Sequence, residues 1–254
     1  PRANTNSATT TNCYSRGPSG RTSTITSIPQ SVAAPKLTES DQDHLRAIYD
    51  AGGARRQVAM GRVANTTGRS PATVTIAVKR LHTLGLVYYE RYRGVRLSPD
   101  GERLALEMVR HHRLIERFLV EFLGYDWNDV HEEADRLEHA ISEELERRIA
   151  ARVSDPTIDP HGDPIPSETL EPVDDRAHTL TTSQDGQRFT VTRVSDRDRS
   201  ILAYLTEIGL VPGASVSVEE HLPFDGPLMV RIGITTHHLG RSVSDRVFVK
   251  PSRQ

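Results

Sequence analysis

Cysteine is almost absent from the 254-residue sequence, which contains Cys13 alone. A single thiol excludes an intrachain disulfide framework and a thiolate cluster for zinc or iron–sulfur. Long apolar runs are missing as well, since no segment approaches the length that a membrane-spanning helix needs. These absences predict a cytoplasmic protein with no membrane segment.

Acidic residues are missing from residues 1–35, where 22 positions are Ser, Thr, Asn, Pro or Gly. Such a segment cannot bury enough apolar surface to offset the entropy lost on ordering. It also lacks the apolar block of a secretory signal. We therefore expect a disordered tail, either a nonspecific arm or an extension upstream of the true start.

Helix-compatible sequence is missing from residues 154–183. Proline disfavours the α conformation in the residue before it, and four such pairs interrupt this stretch. The pairs are Asp155-Pro156, Asp159-Pro160, Asp163-Pro164 and Ile165-Pro166. The pattern predicts a Pro-rich linker at 154–183, between a body at 36–153 and a smaller unit at 184–254.

An excess of either charge is also missing, because 32 Lys and Arg nearly balance 34 Asp and Glu for a net charge of −2. Such a total argues against a nucleic-acid binder. However, residues 51–103 alone carry +7, and residues 116–146 carry −9. One segment suits a polyanion and the other suits cations, although two ordinary solvated helix faces would give the same counts.

The basic segment follows the order of a winged helix-turn-helix. A first helix ends at Gly52-Gly53, and a short second helix follows. Ser70 as N-cap and Pro71 at the first helical position begin a third helix, which stops at Gly85. Two short strands then flank the turn Arg91-Tyr92-Arg93-Gly94.

A helix-turn-helix places its second helix in the major groove, with the N-terminal residues toward the bases. The outward positions here carry hydroxyls, an apolar side chain suited to a thymine methyl, and a lysine. The predicted DNA-binding residues are Ser70, Thr73, Thr75, Ile76 and Lys79, with Arg91 and Arg93 on the wing. Winged helices also serve as protein-interaction modules, so DNA binding is a hypothesis at this point.

The acidic segment predicts two helices, at about 100–123 and 127–153. The first carries His112 and Glu116 four residues apart, on one face. The second carries one stripe of two imidazoles and two carboxylates, made of His131, Asp135, Glu138 and His139. Such donors without thiolate suit Mn²⁺, Fe²⁺ or Zn²⁺. The alternative is a solvent-exposed face of salt bridges.

The segment after the wing contains the runs Val109-Arg110-His111-His112-Arg113-Leu114-Ile115-Glu116, Val130-His131-Glu132-Glu133-Ala134-Asp135 and Leu137-Glu138-His139. These runs resemble the diphtheria-toxin-repressor family of metal-dependent transcription regulators, and within it the manganese-sensing branch. The resemblance covers roughly residues 37–254. It includes Asp159–Pro166, which is similar to the stretch after the family's dimerisation helices.

The resemblance implies two metal sites. The first would use His112, Glu116 and His131, with Asp198 or Asp196 from the C-terminal domain. The second would use Asp43, Asp135, Glu138 and His139. Carboxylates at 43 and 135 replace the Met and Cys of the iron-sensing branch, which favours Mn²⁺, with Fe²⁺, Co²⁺ or Zn²⁺ as possible substitutes. Arg46 replaces a further acidic ligand of small manganese regulators, which favours two separate mononuclear sites.

The resemblance also implies a mainly α fold with β structure. It predicts a winged helix-turn-helix domain at 36–103, a helical metal-binding and dimerisation domain at 104–153, and an SH3-like (FeoA-like) β-barrel at 184–254. The implied function is a homodimeric, Mn²⁺-activated repressor that binds double-stranded operator DNA of metal-homeostasis genes. Alternatives are an iron-dependent regulator of the same family and a winged-helix regulator that does not sense metal. A metallohydrolase is disfavoured, because we find no separate general base or substrate cleft.

Overall fold

The structure is a computed structural model, and it describes residues 37–171, 178–195 and 198–252. The predicted tail at 1–35 lies outside the described residues. The first element is helix α1 (Glu39–Asp50). Thr38 caps this helix, since its hydroxyl accepts from the Asp41 backbone while the Asp41 carboxylate accepts from Thr38 in return.

The predicted winged helix-turn-helix is present. Helices α2 (Met60–Thr67) and α3 (Pro71–Thr83) follow α1, and strands β1 (Val87–Glu90) and β2 (Gly94–Leu97) form an antiparallel wing. The side chain of Ser70 caps α3, as the sequence predicts. The three helices and the wing share one apolar core, which includes Leu45, Ile48, Val63, Val74, Val78, Leu81, Val87 and Val95.

A single long helix connects the wing to the next domain. Helix α4 (Pro99–Leu123) begins at Ser98, whose hydroxyl accepts from the Gly101 backbone. A Cβ at Gly101 would lie 1.9 Å from the Leu86 carbonyl oxygen, so glycine lets this first turn pack directly on the chain before β1. The predicted domain boundary at 103/104 falls inside α4, which therefore links the two domains rigidly.

The helix expected at about 127–153 is two helices instead. Helix α5 (Val130–Leu137) is followed by Glu138 as its C-cap, and helix α6 (Glu143–Ala150) begins after Ser142. Ser142 accepts from the Leu145 backbone, and Glu143 and Glu144 occupy the first turn of α6. A capping serine followed by acidic residues starts a helix, so the sequence restarts the helix at this point instead of continuing it.

The first part of the predicted linker is built into the fold. Ile165 is buried against Leu114 of α4 and against Ile149 and Val153 around the end of α6. Asp159 and His161 are buried as well. The prolines exclude helix, and the chain packs instead as a segment of turns closed by a bridge between Ile158 and Pro164.

The C-terminal unit is one six-stranded antiparallel sheet in the order β3-β8-β4-β5-β6-β7. Its strands are β3 (His178–Thr179), β4 (Arg188–Val194), β5 (Ser215–His221), β6 (Leu228–Ile232), β7 (Thr235–Leu239) and β8 (Val247–Pro251). Helix α7 (Arg199–Glu207) follows β4, and the short helix α8 (Arg241–Ser244) precedes β8. The sheet has its own apolar core, including Phe189, Leu202, Leu205 and Val230. None of the helices among the described residues is long and apolar enough to cross a membrane.

Candidate metal centre

Helix α4 places His112 and Glu116 one turn apart, and α5 brings His131 against both. Nε2 of His112 lies 2.8 Å from Oε1 of Glu116 and 3.0 Å from Nδ1 of His131. Nδ1 of His131 lies 3.1 Å from the same Glu116 oxygen. We call these three residues the His112 triad. The structure therefore brings together the three helical residues of the first predicted site.

The donor atoms of the His112 triad form a nearly equilateral triangle with edges of about 3 Å. Adjacent ligands of an octahedral ion, at ligand distances of about 2.1 Å, are separated by this length. Glu116 is fully buried, and its Oε2 has no hydrogen-bond partner among the described residues. The triad therefore fits a divalent cation, because a cation compensates both a buried carboxylate and two imidazole nitrogens that face each other.

A second group joins α1 to the end of α5. Nε2 of His139 lies 3.0 Å from Oδ1 of Asp43 and 3.8 Å from Oε1 of Glu138. Nδ1 of His139 lies 2.9 Å from the side-chain oxygen of Gln42 and donates to it. Nε2 then presents its lone pair to the carboxylates, an arrangement that fits a metal ion held by a properly oriented histidine. We call Asp43, Glu138 and His139 the Asp43 cluster.

Asp135 lies beside His112 and His131. Its Oδ1 is 3.3 Å from Nδ1 of His112, and its Oδ2 is 3.7 Å from Nε2 of His131. The predicted second site grouped Asp135 with Asp43, Glu138 and His139, whereas the structure places its carboxylate beside the His112 triad. The two groups therefore share a border at Asp135 and Glu138.

The side chain of Arg46 stands on this border. Its Nη1 donates to Oε2 of Glu138 at 2.7 Å and to Oδ1 of Asp135 at 2.9 Å. The same nitrogen lies 2.9 Å from Nδ1 of His112. The surrounding carboxylates raise the pKa of Arg46 despite its burial. A permanent cation of the protein thus contacts both groups, which also meet directly where Nδ1 of His112 lies 2.6 Å from Oε2 of Glu138.

Buried charges interact strongly here. Burial lowers the pKa of His112, but the adjacent charge of Glu116 outweighs it and raises this pKa to about 9. Burial raises the pKa of Glu116, but the charge and hydrogen bond of His112 hold it well below its usual value. Burial raises the pKa of Asp43. Without a metal ion, a proton on His112 stabilises the Glu116 carboxylate.

Two buried residues next to Glu116 were not predicted from the sequence. Nδ1 of His161 lies 3.9 Å from Oε2 of Glu116, and Asp159 completes a buried group of three possible ligands. Nε2 of His161 donates to the Trp127 carbonyl at 2.8 Å, so Nδ1 carries a lone pair toward Glu116. The spacing Asp-x-His is visible in the sequence, but it stands among prolines, and prolines indicate a linker.

Asp198 does not join these groups. It caps α7, where its Oδ1 accepts from the backbones of Ser200 and Ile201 and from the Ser200 hydroxyl. It belongs to none of the metal-competent groups among the described residues. The other candidate ligand, Asp196, lies outside the described residues. The structure therefore gives Asp198 a capping role in this conformation.

The predicted DNA-binding residues lie along α3 and at the wing. Thr73, Ile76 and Lys79 follow one another at three-residue intervals on the exposed face of α3, and Ile76 is 72% exposed. Ser70 is exposed as well, although its hydroxyl accepts from the Thr73 backbone. Thr75 is half-buried, and its hydroxyl donates to the Pro71 carbonyl. Thr73, Ile76 and Lys79 therefore offer the most direct contact surface.

The tip of the wing presents two arginines to solvent. Arg91 stacks on the ring of Tyr92 at 4.8 Å, and Arg93 pairs with Glu90 at 3.1 Å. Tyr92 has a positive φ of 68° and is 89% exposed. Both arginines are exposed, as contacts to phosphates require.

Family profiles match the described units in order. The N-terminal DNA binding domain of iron dependent repressors matches residues 36–95, and the metal binding and dimerisation domain of these repressors matches residues 98–167. The FeoA domain matches residues 178–251. The iron-dependent repressor IdeR of Mycobacterium tuberculosis is 34% identical over 196 residues, which cover 72% of this chain and 85% of IdeR. The chain belongs to the iron-dependent (diphtheria toxin) repressor family.

Other members of the family agree with this result. The diphtheria toxin repressor of Corynebacterium diphtheriae is 37% identical over 130 residues, covering 51% of this chain and 58% of that protein. A solved manganese-dependent transcriptional repressor in complex with manganese is 36% identical, with a TM-score of 0.78 over 84% of this chain and 100% of that one. The manganese regulator SloR is 27% identical, with a TM-score of 0.73 over 85% and 100%.

These relatives confirm the family and the fold class that the sequence predicts. The protein is a metal-dependent transcriptional repressor, and its family consists of regulators and not of enzymes. The relatives include proteins named for iron and proteins named for manganese. Family membership therefore establishes metal dependence without choosing between the two metals.

Proposed function

We propose that the protein is a homodimeric repressor that Mn²⁺ activates for binding to operator DNA in the cytoplasm, and that it controls metal-homeostasis genes. In this proposal, the winged helix-turn-helix domain binds DNA, and the helical domain binds metal and forms the dimer. The observation that carries the proposal is the distance of 3.0 Å between His139 Nε2 and Asp43 Oδ1. It joins the metal-binding helices directly to a helix of the DNA-binding domain.

Helix α1 is the mechanical link. It packs on α2 and α3 through the common apolar core, and it also packs along α4. Asp43 and Arg46 project from α1 toward residues at the end of α5. The position of α1 relative to α4 and α5 therefore sets the position of the recognition helix α3.

Charge supplies the switch. When bound, a divalent ion supplies positive charge to carboxylates that otherwise rely on protons and on Arg46. Asp43 and Glu138 repel each other, and each raises the energy of a closed arrangement around His139. Neutralising this repulsion favours the arrangement in which α1 is held close to His139. Activation requires that the metal ion bind this arrangement more tightly than the open one.

The donor chemistry supports Mn²⁺. The His112 triad and the Asp43 cluster offer imidazole nitrogens and carboxylate oxygens only. Hard oxygen donors suit Mn²⁺, whereas thiolate and thioether donors would shift preference toward softer ions. Fe²⁺ is the competing candidate, because the similar curated proteins carry names for iron dependence.

Dimer formation is proposed to use the helical domain. Exposed apolar side chains lie at the end of α4 and on α5 and α6, namely Phe122, Leu123, Leu137 and Leu145. This domain matches the profile of the family's dimerisation domain. A twofold dimer would hold two recognition helices at the spacing of successive major grooves.

A DNA mobility shift on the chain's own promoter tests the proposal, with Mn²⁺, Fe²⁺, Co²⁺ and Zn²⁺ in parallel. We expect Mn²⁺ to retard the DNA at a lower metal concentration than the other ions do. We expect no retardation when a chelator is present. Glu138→Ala and His139→Ala should abolish the metal response, whereas the control His238→Ala, on exposed strand β7, should retain it.

Three outcomes would contradict parts of the proposal. A stronger response to Fe²⁺ than to Mn²⁺ would favour the iron-dependent alternative. Equal DNA binding with and without metal would favour a regulator that does not sense metal. A normal Mn²⁺ response in His139→Ala would show that the Asp43 cluster is not the activating site.

A further inference from the structure

A further group of possible ligands lies between α4 and α6. One ligand atom from each of Glu107, His111 and Glu143 falls within 4.8 Å of the other two. Glu107 and His111 are one turn apart on α4, and Glu143 begins α6. The three residues belong to neither the His112 triad nor the Asp43 cluster.

His111 is the buried member of this group. It is 6% exposed, and its Nε2 forms an ion pair with Oε2 of Glu146 at 2.8 Å. The other ring nitrogen, Nδ1, is buried and has no hydrogen-bond partner among the described residues. A buried imidazole nitrogen without a partner is unusual, since such groups are nearly always satisfied.

The charge of Glu146 is already compensated. Its Oε1 accepts from Nε of Arg110 at 2.5 Å, and this pair is buried between α4 and α6. Glu107 and Glu143 have no Lys or Arg partner in the part of the chain that the structure describes. Two carboxylates thus converge on the imidazole of His111 without a Lys or Arg partner among the described residues.

The two carboxylates are close enough to affect each other. Burial raises the pKa of Glu107, and the neighbouring carboxylate of Glu143 raises it further despite the opposing charge of His111. Glu107 is half-buried and Glu143 is exposed, so an ion from solvent can reach the group. One nitrogen and two carboxylates are a common ligand set for a divalent transition metal.

We propose that Glu107, His111 and Glu143 form a third divalent-cation site, which ties α6 to α4. The ion would satisfy the His111 nitrogen and neutralise the two carboxylates. Because α6 belongs to the domain that matches the family's dimerisation module, this site would stabilise that domain independently of the two groups next to α1.

Equilibrium dialysis of the full-length protein against Co²⁺ tests this proposal by counting bound ions per chain. Glu107→Gln/Glu143→Gln should bind one ion fewer than the wild type. The control Glu132→Gln/Glu144→Gln removes the same charge from α5 and α6 and should bind the wild-type number. Circular dichroism shows whether each variant folds.

A second background isolates the site. Glu116→Gln/His131→Ala/His139→Ala removes donors from the His112 triad, from the group of Glu116 with Asp159 and His161, and from the Asp43 cluster, and it should retain one Co²⁺. In this background, saturating Co²⁺ should still raise the melting temperature, and adding Glu143→Gln at its exposed position should weaken the binding at least tenfold. Equal ion counts and equal melting shifts with and without Glu107→Gln/Glu143→Gln would overturn the proposal and assign the group a shared proton instead.

Discussion

Nη1 of Arg46 lies 2.7 Å from Oε2 of Glu138, whose side chain is buried between α1 and α4. We expect Arg46→Gln to destabilise the metal-free protein by about 2 kcal/mol, because the buried carboxylate loses one of its two charged partners and keeps His112 at 2.6 Å. The same change should tighten Mn²⁺ binding, because a competing positive charge is removed. Thermal melting with and without Mn²⁺ measures both effects.

A matched control for Arg46 is Arg148→Gln, which breaks an exposed pair with Glu144 and should change stability by less than about 1 kcal/mol. An unchanged melting temperature of metal-free Arg46→Gln, or weaker Mn²⁺ binding by it, would contradict this interpretation of Arg46.

His131 is the most accessible donor of the His112 triad, with a side chain that is 33% exposed. We expect His131→Ala to remove one bound Mn²⁺ per chain with little effect on folding, since His112 and Glu116 remain paired on α4. Calorimetric titration with Mn²⁺ measures the stoichiometry. A wild-type stoichiometry would mean that Glu116 holds its ion through Asp159 and His161 instead.

Lys79 is predicted to contact a phosphate, and Ile76 a base. We expect Lys79→Ala to reduce the slope of log K against log salt concentration by about 0.9, the value for one phosphate contact. Ile76→Ala should lower affinity for the operator more than for random DNA. Fluorescence anisotropy over a salt series measures both quantities.

The control for the DNA variants is Arg241→Ala, which removes an exposed arginine from α8 of the C-terminal unit. It should leave both slope and specificity unchanged. If Lys79→Ala and Arg241→Ala behave alike, the exposed face of α3 is not the DNA-binding surface.

Gly101 and Gly61 are predicted to respond to alanine in opposite directions. A Cβ at Gly101 would overlap the Leu86 carbonyl, so Gly101→Ala should destabilise the protein by about 2–3 kcal/mol. A Cβ at Gly61 would meet nothing within 4 Å on helix α2, so Gly61→Ala should stabilise it by about 0.5–1 kcal/mol. Urea denaturation measures both; stabilisation by Gly101→Ala would show that the α4 start can move away from the wing.

Asp198→Ala separates a helix cap from a metal ligand. Loss of the cap of α7 should destabilise the protein by about 1 kcal/mol and leave the number of bound Mn²⁺ ions unchanged. Urea denaturation and metal titration are measured on the same sample. A loss of one bound ion would restore Asp198 to the first site as the sequence analysis predicted.

Local signals in the sequence were sufficient for much of the architecture. Thr38 and Ser70 mark helix starts, and the Arg91-Tyr92-Arg93-Gly94 turn marks the wing, because caps and turns depend on neighbouring residues only. The restart at Ser142 was also a local signal. It was missed because the apolar and acidic pattern on both sides suggested one continuous helix.

The sequence by itself determined which chemical groups are available: imidazoles, carboxylates and no thiolate near them, on helices that follow a winged helix-turn-helix. Only the tertiary structure decided how these donors are grouped. It placed Asp135 and Glu138 beside His112, brought Arg46 into contact with all three, and brought His161 to Glu116. Helical spacing sets neighbours within one helix, whereas contacts between α1, α4 and α5 depend on how their apolar faces pack.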